Sequence, residues 1–137
     1  MKLKKISKHF YLRDLLQSRT AERLMLLEQY KPSTEAQRNL EALAKNILDK
    51  VKDQFPEVVI TSCYRCHRLN DAVGGAYSSQ HIKGQAVDLY LFDHEPLLEF
   101  CKKLDYDQLI DYGNYLHISF RLGHRRKNFI SLVSIDD

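Results

Sequence analysis

A chain of 137 residues, 44% hydrophobic and 28% charged, has the size of one domain (residues 1–137) and the balance of an ordinary globular protein. Its formal charge of +3 leans toward anionic surfaces such as a cell wall or nucleic acid, but is too small to name a partner. No apolar run approaches the roughly 20 residues of a membrane-spanning helix.

The basic start, Met1 to Ile6, is followed by Ser7-Lys8-His9-Phe10 and then Arg13 and Asp14, not by an apolar secretory core. A cytoplasmic location as encoded is the expectation. Residues 12–30 carry Leu15, Leu16, Leu24, Leu26 and Leu27 among charged residues, without glycine or proline, and read as helical. Pro32 interrupts, and Ser33 or Thr34 offers an N-cap. From 35 to 55, Leu40, Leu43, Ala44, Ile47, Leu48 and Val51 keep the three-and-four spacing of an amphipathic helix, which Pro56 ends. The period then changes. Residues 58–62 are β-branched and short, predicting a buried strand. Residues 70–75 suggest a short helix or turn entering a glycine-rich loop.

Further strands are predicted at 86–91, 107–110, 115–121 and 128–135, with a short helix at 95–104. The basic run from His124 to Lys127 reads as a solvated turn or as a phosphate contact. Helices come first and strands later without regular alternation. That order predicts an α+β fold, with helices packed on a mostly antiparallel sheet.

Strand alternation sorts the chemistry. In 86–91, Ala86, Asp88 and Tyr90 share one face, and Val87, Leu89 and Leu91 the other. In 115–121, His117, Ser119 and Arg121 share a face opposite Leu116, Ile118 and Phe120. Each strand thus has an apolar side for a core and a polar side with a potential ligand. His81 stands just before its strand, with Gly84 to turn the chain between them. Two imidazoles, a carboxylate and a fourth position for water make a catalytic type of zinc site. On spacing alone the set is either that or coincidence among six histidines, and ligand type does not exclude other divalent ions.

Ser62-Cys63-Tyr64-Arg65, residues 70–75, Ser78-Ser79-Gln80-His81, residues 84–88, residues 106–110 and Leu116-His117-Ile118-Ser119 occur in an order that closely resembles the peptidase M15 family. The nearest branch is that of zinc D-Ala-D-Ala carboxypeptidases and phage-type endolysins. Residues 6–10 and 18–21 are similar to the start of such domains. The resemblance implies a hedgehog/DD-peptidase-like fold, with Zn2+ on His81, Asp88 and His117. It also implies hydrolysis of D-Ala-containing peptidoglycan stem peptides, with Arg65 supporting substrate and oxyanion. Arg65 otherwise reads as a strand-end ion pair. Ser79 and Gln80 shape the substrate pocket or are ordinary loop polarity. A monomer is expected, with no nucleic-acid partner. The motifs do not separate a carboxypeptidase from an endopeptidase.

The pattern departs at the general base. Family members usually carry an acid three residues before the last histidine, or slightly upstream. Here that residue is Asn114, whose amide cannot take a proton from water at neutral pH. Asp111 is the candidate in its place, with a turn role as the alternative. If Asp111 does not reach the water, a non-catalytic zinc-containing peptidoglycan-binding module on the same fold is the rival reading.

Cys63, Cys66 and Cys101 cannot all pair. The Cys63-Tyr64-Arg65-Cys66-His67 run matches a haem-attachment pattern. It lacks the export signal such attachment needs, and it overlaps Arg65. Cys101 reads as a core residue.

Overall fold

The computed structural model describes residues 3–124 and 126–133. Its helices are α1 (Arg19–Arg23), α2 (Thr34–Leu43), α3 (Asp49–Gln54), α4 (His67–Ala72) and α5 (His94–Cys101). Its strands are β1 (Val59–Ser62), β2 (Ala86–Tyr90), β3 (Gln108–Asp111), β4 (Leu116–Ser119) and β5 (Asn128–Ser131). They form one sheet in the order β1-β2-β4-β3-β5, antiparallel except for the β3–β5 pair. This is the α+β class expected. The predicted last strand is confirmed over 128–131; residues 134 and 135 lie outside the described residues.

The long helix begins where Ser33 Oγ accepts the Ala36 N–H at 3.1 Å, which names Ser33 as the cap. Its predicted apolar stripe, Leu40, Leu43, Ala44, Ile47, Leu48 and Val51, is buried. Between α2 and α3 the helix widens into a π-type turn at Ala44–Leu48, which apolar spacing alone does not reveal. Asn46 Nδ2 donates to the Ala42 carbonyl at 2.8 Å inside that stretch. The stripe packs on the sheet face carrying Val87, Leu89, Leu109, Leu116 and Ile118, all fully buried. Phe55 and Phe100 meet edge to face at 5.7 Å, fastening the end of this helix to α5.

The first predicted helix is corrected. Residues 12–30 form two 3₁₀ turns, Leu12–Leu15 and Leu27–Tyr30, around the short α1. Their leucines do not share one buried stripe: Leu15, Leu16 and Leu26 are buried, while Leu24 and Leu27 are 46% and 73% exposed. Met25 takes a left-handed conformation (φ 56°), which ends α1. The fully buried Gln29 then supplies what a continuous helix would have supplied. Its amide donates to the carbonyls of Leu16 and Tyr64, each at 2.9 Å, and its Oε1 accepts the Cys66 N–H at 2.8 Å. A glutamine is thus the tie between the irregular amino-terminal segment and the end of β1.

Gly84 is needed where the loop carrying His81 passes under α2. Its φ is +74°, and an added Cβ would stand 2.6 Å from the Ala36 carbonyl oxygen and 3.0 Å from Leu40 Cγ. Gly84→Ala combines left-handed backbone with overpacking against a helix. It is expected to lower stability by about 2–4 kcal/mol, read as a shift in the denaturant midpoint at unchanged slope.

Candidate metal centre

The register of the sheet assembles the site. Asp88 on β2 lies opposite His117 on β4, so both side chains leave the same face. A bulge between Ile60 and Ser62 sets Ser62 opposite Asp88 on the other flank. His81 reaches the same point from the loop before β2. One nitrogen or oxygen from each of His81, Asp88 and His117 lies within 4.8 Å of the others. Separately, Asp88 Oδ1 is 3.0 Å from His117 Nδ1 and 3.3 Å from His81 Nε2.

Hydrogen bonding decides which nitrogen His81 offers. Its Nδ1 lies 2.6 Å from the Cys63 carbonyl oxygen, which can only accept, so Nδ1 carries the hydrogen. In the neutral ring, Nε2 then aims a lone pair at a carboxylate oxygen. Two acceptors at that distance repel unless a cation lies between them. Burial alone would raise the Asp88 carboxyl. With no cation present and both rings protonated, hydrogen bonds from His117 and His81 and the charge of the rings override it and hold Asp88 below the usual carboxylate range; a metal ion on the neutral rings takes the place of those protons. The donor set therefore fits a metal ion. A tetrahedral zinc site with bonds of about 2.0–2.2 Å separates its ligand atoms by roughly 3.3–3.6 Å, close to the 3.0 and 3.3 Å between Asp88 Oδ1 and the two histidine nitrogens.

Arg65 stands beside this cluster. Its backbone N–H donates to the His81 carbonyl at 3.1 Å. Its Nε donates to Ser62 Oγ and one terminal nitrogen to Asn70 Oδ1, both at 3.2 Å, and the other terminal nitrogen lies 3.7 Å from Asp88 Oδ2. Gly75 leaves room for this: a Cβ there would stand 2.1 Å from Asn70 Oδ1 and 3.0 Å from the guanidinium. Ser79 and Gln80 both line the cleft and also support it. Ser79 Oγ accepts the His81 N–H at 3.1 Å, and Gln80 donates to Asp107 at 3.0 Å.

Asp111 does not join the cluster. In β3, Ile110 is the partner of His117, and Asp111 pairs with Leu116, whose side chain is on the core face. The Asp111 carboxylate is therefore on the opposite side of the sheet from the histidines. It is buried there, 2.7 Å from His94 Nε2 on α5, and it accepts the Gly113 N–H at 2.8 Å. The geometry is that of a turn residue tied to a helix, and the expectation of Asp111 as base is corrected on that ground. Asn114 is exposed in the same turn. Among the described residues, the cleft of about 690 Å³ is lined by no carboxylate other than Asp88.

Several cleft residues carried no signal of their own in the sequence. Tyr112 and Tyr115 stack at 4.5 Å between ring centres on its wall. Tyr115 could have been found from alternation, since it stands two residues before His117 on the same strand face. Its phenol is pushed up by burial, then by the charge of Asp88, which favours the protonated form that can donate. Lys83, Arg121 and Arg126 bring further positive charge to the lining.

Arg126 is held by Asp107, which is fully buried and accepts from its Nε and Nη2 at 2.8 and 2.9 Å. Lys127 Nζ donates to the Leu104 carbonyl at 2.7 Å, so these two cations of the basic run are tied back onto the protein. The Arg126 hydrogen bonds hold Asp107 below its ordinary value, opposed by burial and assisted by Gln80. A depressed folded pKa gives stability that is present above the unfolded value and lost as pH falls. Stability of the metal-free protein is expected to drop below about pH 4, and Asp107→Asn is expected to flatten that drop. Denaturant midpoints measured across the acid range decide this.

The cysteines have no exposed sulfur. Cys63, Cys66 and Cys101 are free and buried. Burial raises the Cys63 thiol, with the charge of Asp88 adding to it, and pushes Cys101 up to about 12. Cys66 Sγ caps α4 by accepting the Leu69 N–H at 3.4 Å. All three thiols are thus packed as interior groups.

No curated protein gives a significant match to this chain. A family model described as Peptidase M15 matches residues 8–121, a span that takes in the His81 loop, Arg65 and all three clustered side chains. With that match over most of its length, the chain belongs to the peptidase M15 family.

Proposed function

We propose that the protein is a zinc metallopeptidase that hydrolyses D-Ala-containing peptides of peptidoglycan. The observation that carries the reading is the His81–Asp88–His117 cluster, with His81 and Asp88 buried and His117 partly so, open to a cleft and flanked by a fixed arginine. Membership of a generally zinc-dependent peptidase family supports it. Zinc in such a three-ligand site supplies water activated near neutral pH and polarises a carbonyl oxygen.

The chain's own residues do the rest. His81 is oriented by the Cys63 carbonyl, which leaves Nε2 free as a ligand. Arg65, held by Ser62 and Asn70, is a preorganised donor for the oxyanion that develops on the scissile carbonyl. Tyr115 is a second donor at the cleft wall, and Ser79 and Gln80 hold the loop that shapes the substrate pocket.

The second reading, a zinc-containing module that binds peptidoglycan stems without cutting them, is favoured by one observation. No carboxylate other than Asp88 lines the cleft among the described residues. Loss of a general base costs about 10²–10⁴-fold in rate, so slow hydrolysis is the expectation under the first reading.

Incubating purified cell-wall peptides with the zinc-loaded protein, and identifying products by mass, separates the two readings. The wild type is expected to cleave, and the product masses name the bond. Asp111→Ala is expected to cleave at a comparable rate while unfolding more easily, because it removes the His94 partner and not a group in the cleft. Peptides left intact by the zinc-loaded wild type establish the binding module instead.

A further inference from the structure

β1 is an outer strand of the sheet: β2 covers one of its edges and no strand pairs with the other. Among the described residues, no backbone group of Val59, Ile60, Thr61 or Ser62 has a backbone partner outside the sheet. The strand also carries no charge, and charges are a common device by which exposed edges are kept from pairing.

A groove of about 580 Å³ adjoins this strand, lined by Ile60, Thr61 and Ser62 of β1 and by Arg19, Thr20 and Glu22 of α1. The amino-terminal segment does reach the chain just beyond the strand, where the Tyr64 N–H donates to the Leu15 carbonyl at 3.1 Å. Over residues 60–62 it stands off and leaves the groove. Arg65 and Val73 line both this groove and the cleft that holds the histidines, so the two cavities adjoin at the arginine.

We propose that the groove is an extended-peptide subsite. A substrate whose reacting bond lies at the cluster continues past Arg65 and pairs with the free edge of β1 as an added strand. This rests on the peptidase-or-binder reading above and goes beyond it by giving the rest of the peptide a place. Main-chain hydrogen bonds from an edge strand hold an extended peptide with little demand on its sequence. At about 3.3 Å per residue, the four residues of β1 accept roughly three or four residues of a partner strand. Arg19 and Glu22, both exposed, bring one charge of each sign to the groove lining, which suits a peptide bearing carboxylate and amine side groups.

The test uses two probes on the zinc-loaded, ¹⁵N-labelled protein, in the cold to suppress turnover. One is a peptidoglycan stem pentapeptide ending in D-Ala-D-Ala, and the other is acetyl-D-Ala-D-Ala, which is too short to leave the cleft. The pentapeptide is expected to shift the amides of Ile60, Thr61 and Ser62 and slow their hydrogen exchange. The dipeptide is expected to shift only cleft amides such as Gln80, His81 and Tyr115. Thr20→Trp, which fills the groove, is expected to weaken the pentapeptide at least tenfold more than the dipeptide. Cleft shifts from the pentapeptide with residues 60–62 unmoved would overturn the subsite and leave the functional reading standing. Equal weakening of both probes by Thr20→Trp would do the same. If neither probe moves a cleft amide, the functional reading fails first and the subsite with it.

Discussion

His117→Ala is expected to abolish stoichiometric zinc binding while leaving the chain folded. The side chain leaves the cleft face of β4, whereas Leu116 and Ile118 on either side hold the core from the other face. Removing it should therefore leave the sheet intact and take one of three ligands from the site. Loss of a partner behind a metal ligand already costs about 10–100-fold in affinity, and loss of the ligand itself should exceed that. Metal analysis after dialysis, with circular dichroism as the control for folding, gives the answer. Retained stoichiometric zinc in the folded variant would remove His117 from the ligand set. Hydrolysis, where the wild type shows it, should vanish with the metal.

The second large effect belongs to Arg65, and it should be of the opposite kind. Arg65→Lys is expected to keep zinc and lose turnover by about 10²–10³-fold, the range found when one oxyanion donor is removed. Arginine here uses its whole fork, toward Ser62, Asn70 and Asp88. An ammonium is a single point charge and cannot hold those three partners while also facing the substrate. Comparing kcat, KM and zinc content separates the roles. A fall in kcat with zinc unchanged supports the oxyanion assignment. Parallel loss of zinc would mean that Arg65 acts through Asp88 as a structural ion pair. Unchanged turnover would remove it from the chemistry.

Two carboxylates on strands flanking β4 show why geometry has to arbitrate. Asp111 and Asp88 both lie on strands of one sheet and both pair with β4. A register that sets Asp88 against His117 sets Ile110, not Asp111, beside that histidine on the other flank. One residue of offset sends the Asp111 carboxylate to the core face, where His94 receives it. The candidate base is thus removed by strand parity, with no need to consider its acidity.

Much of the molecule could be read from the residues alone. The stripe from Leu40 to Val51, the stop at Pro56 and the strand faces of 86–91 and 115–121 rest on local signals that each segment carries by itself, while the choice of Ser33 over Thr34 as the cap came from the structure. The grouping of His81, Asp88, His117 and Arg65 was legible because ordered motifs mark it. Tertiary structure alone decided the rest. Leucine content in 12–30 resembles that of a helix, but Gln29 and the left-handed Met25 break it into turns, and a buried glutamine's partners lie far away in sequence. The order of the strands, the parallel β5, the Asp107–Arg126 clamp and the bare edge of β1 depend on long-range pairing. Periodicity tells which face of a strand is wet. It does not tell which strand lies beside it, and that neighbour decided which carboxylate meets the histidines.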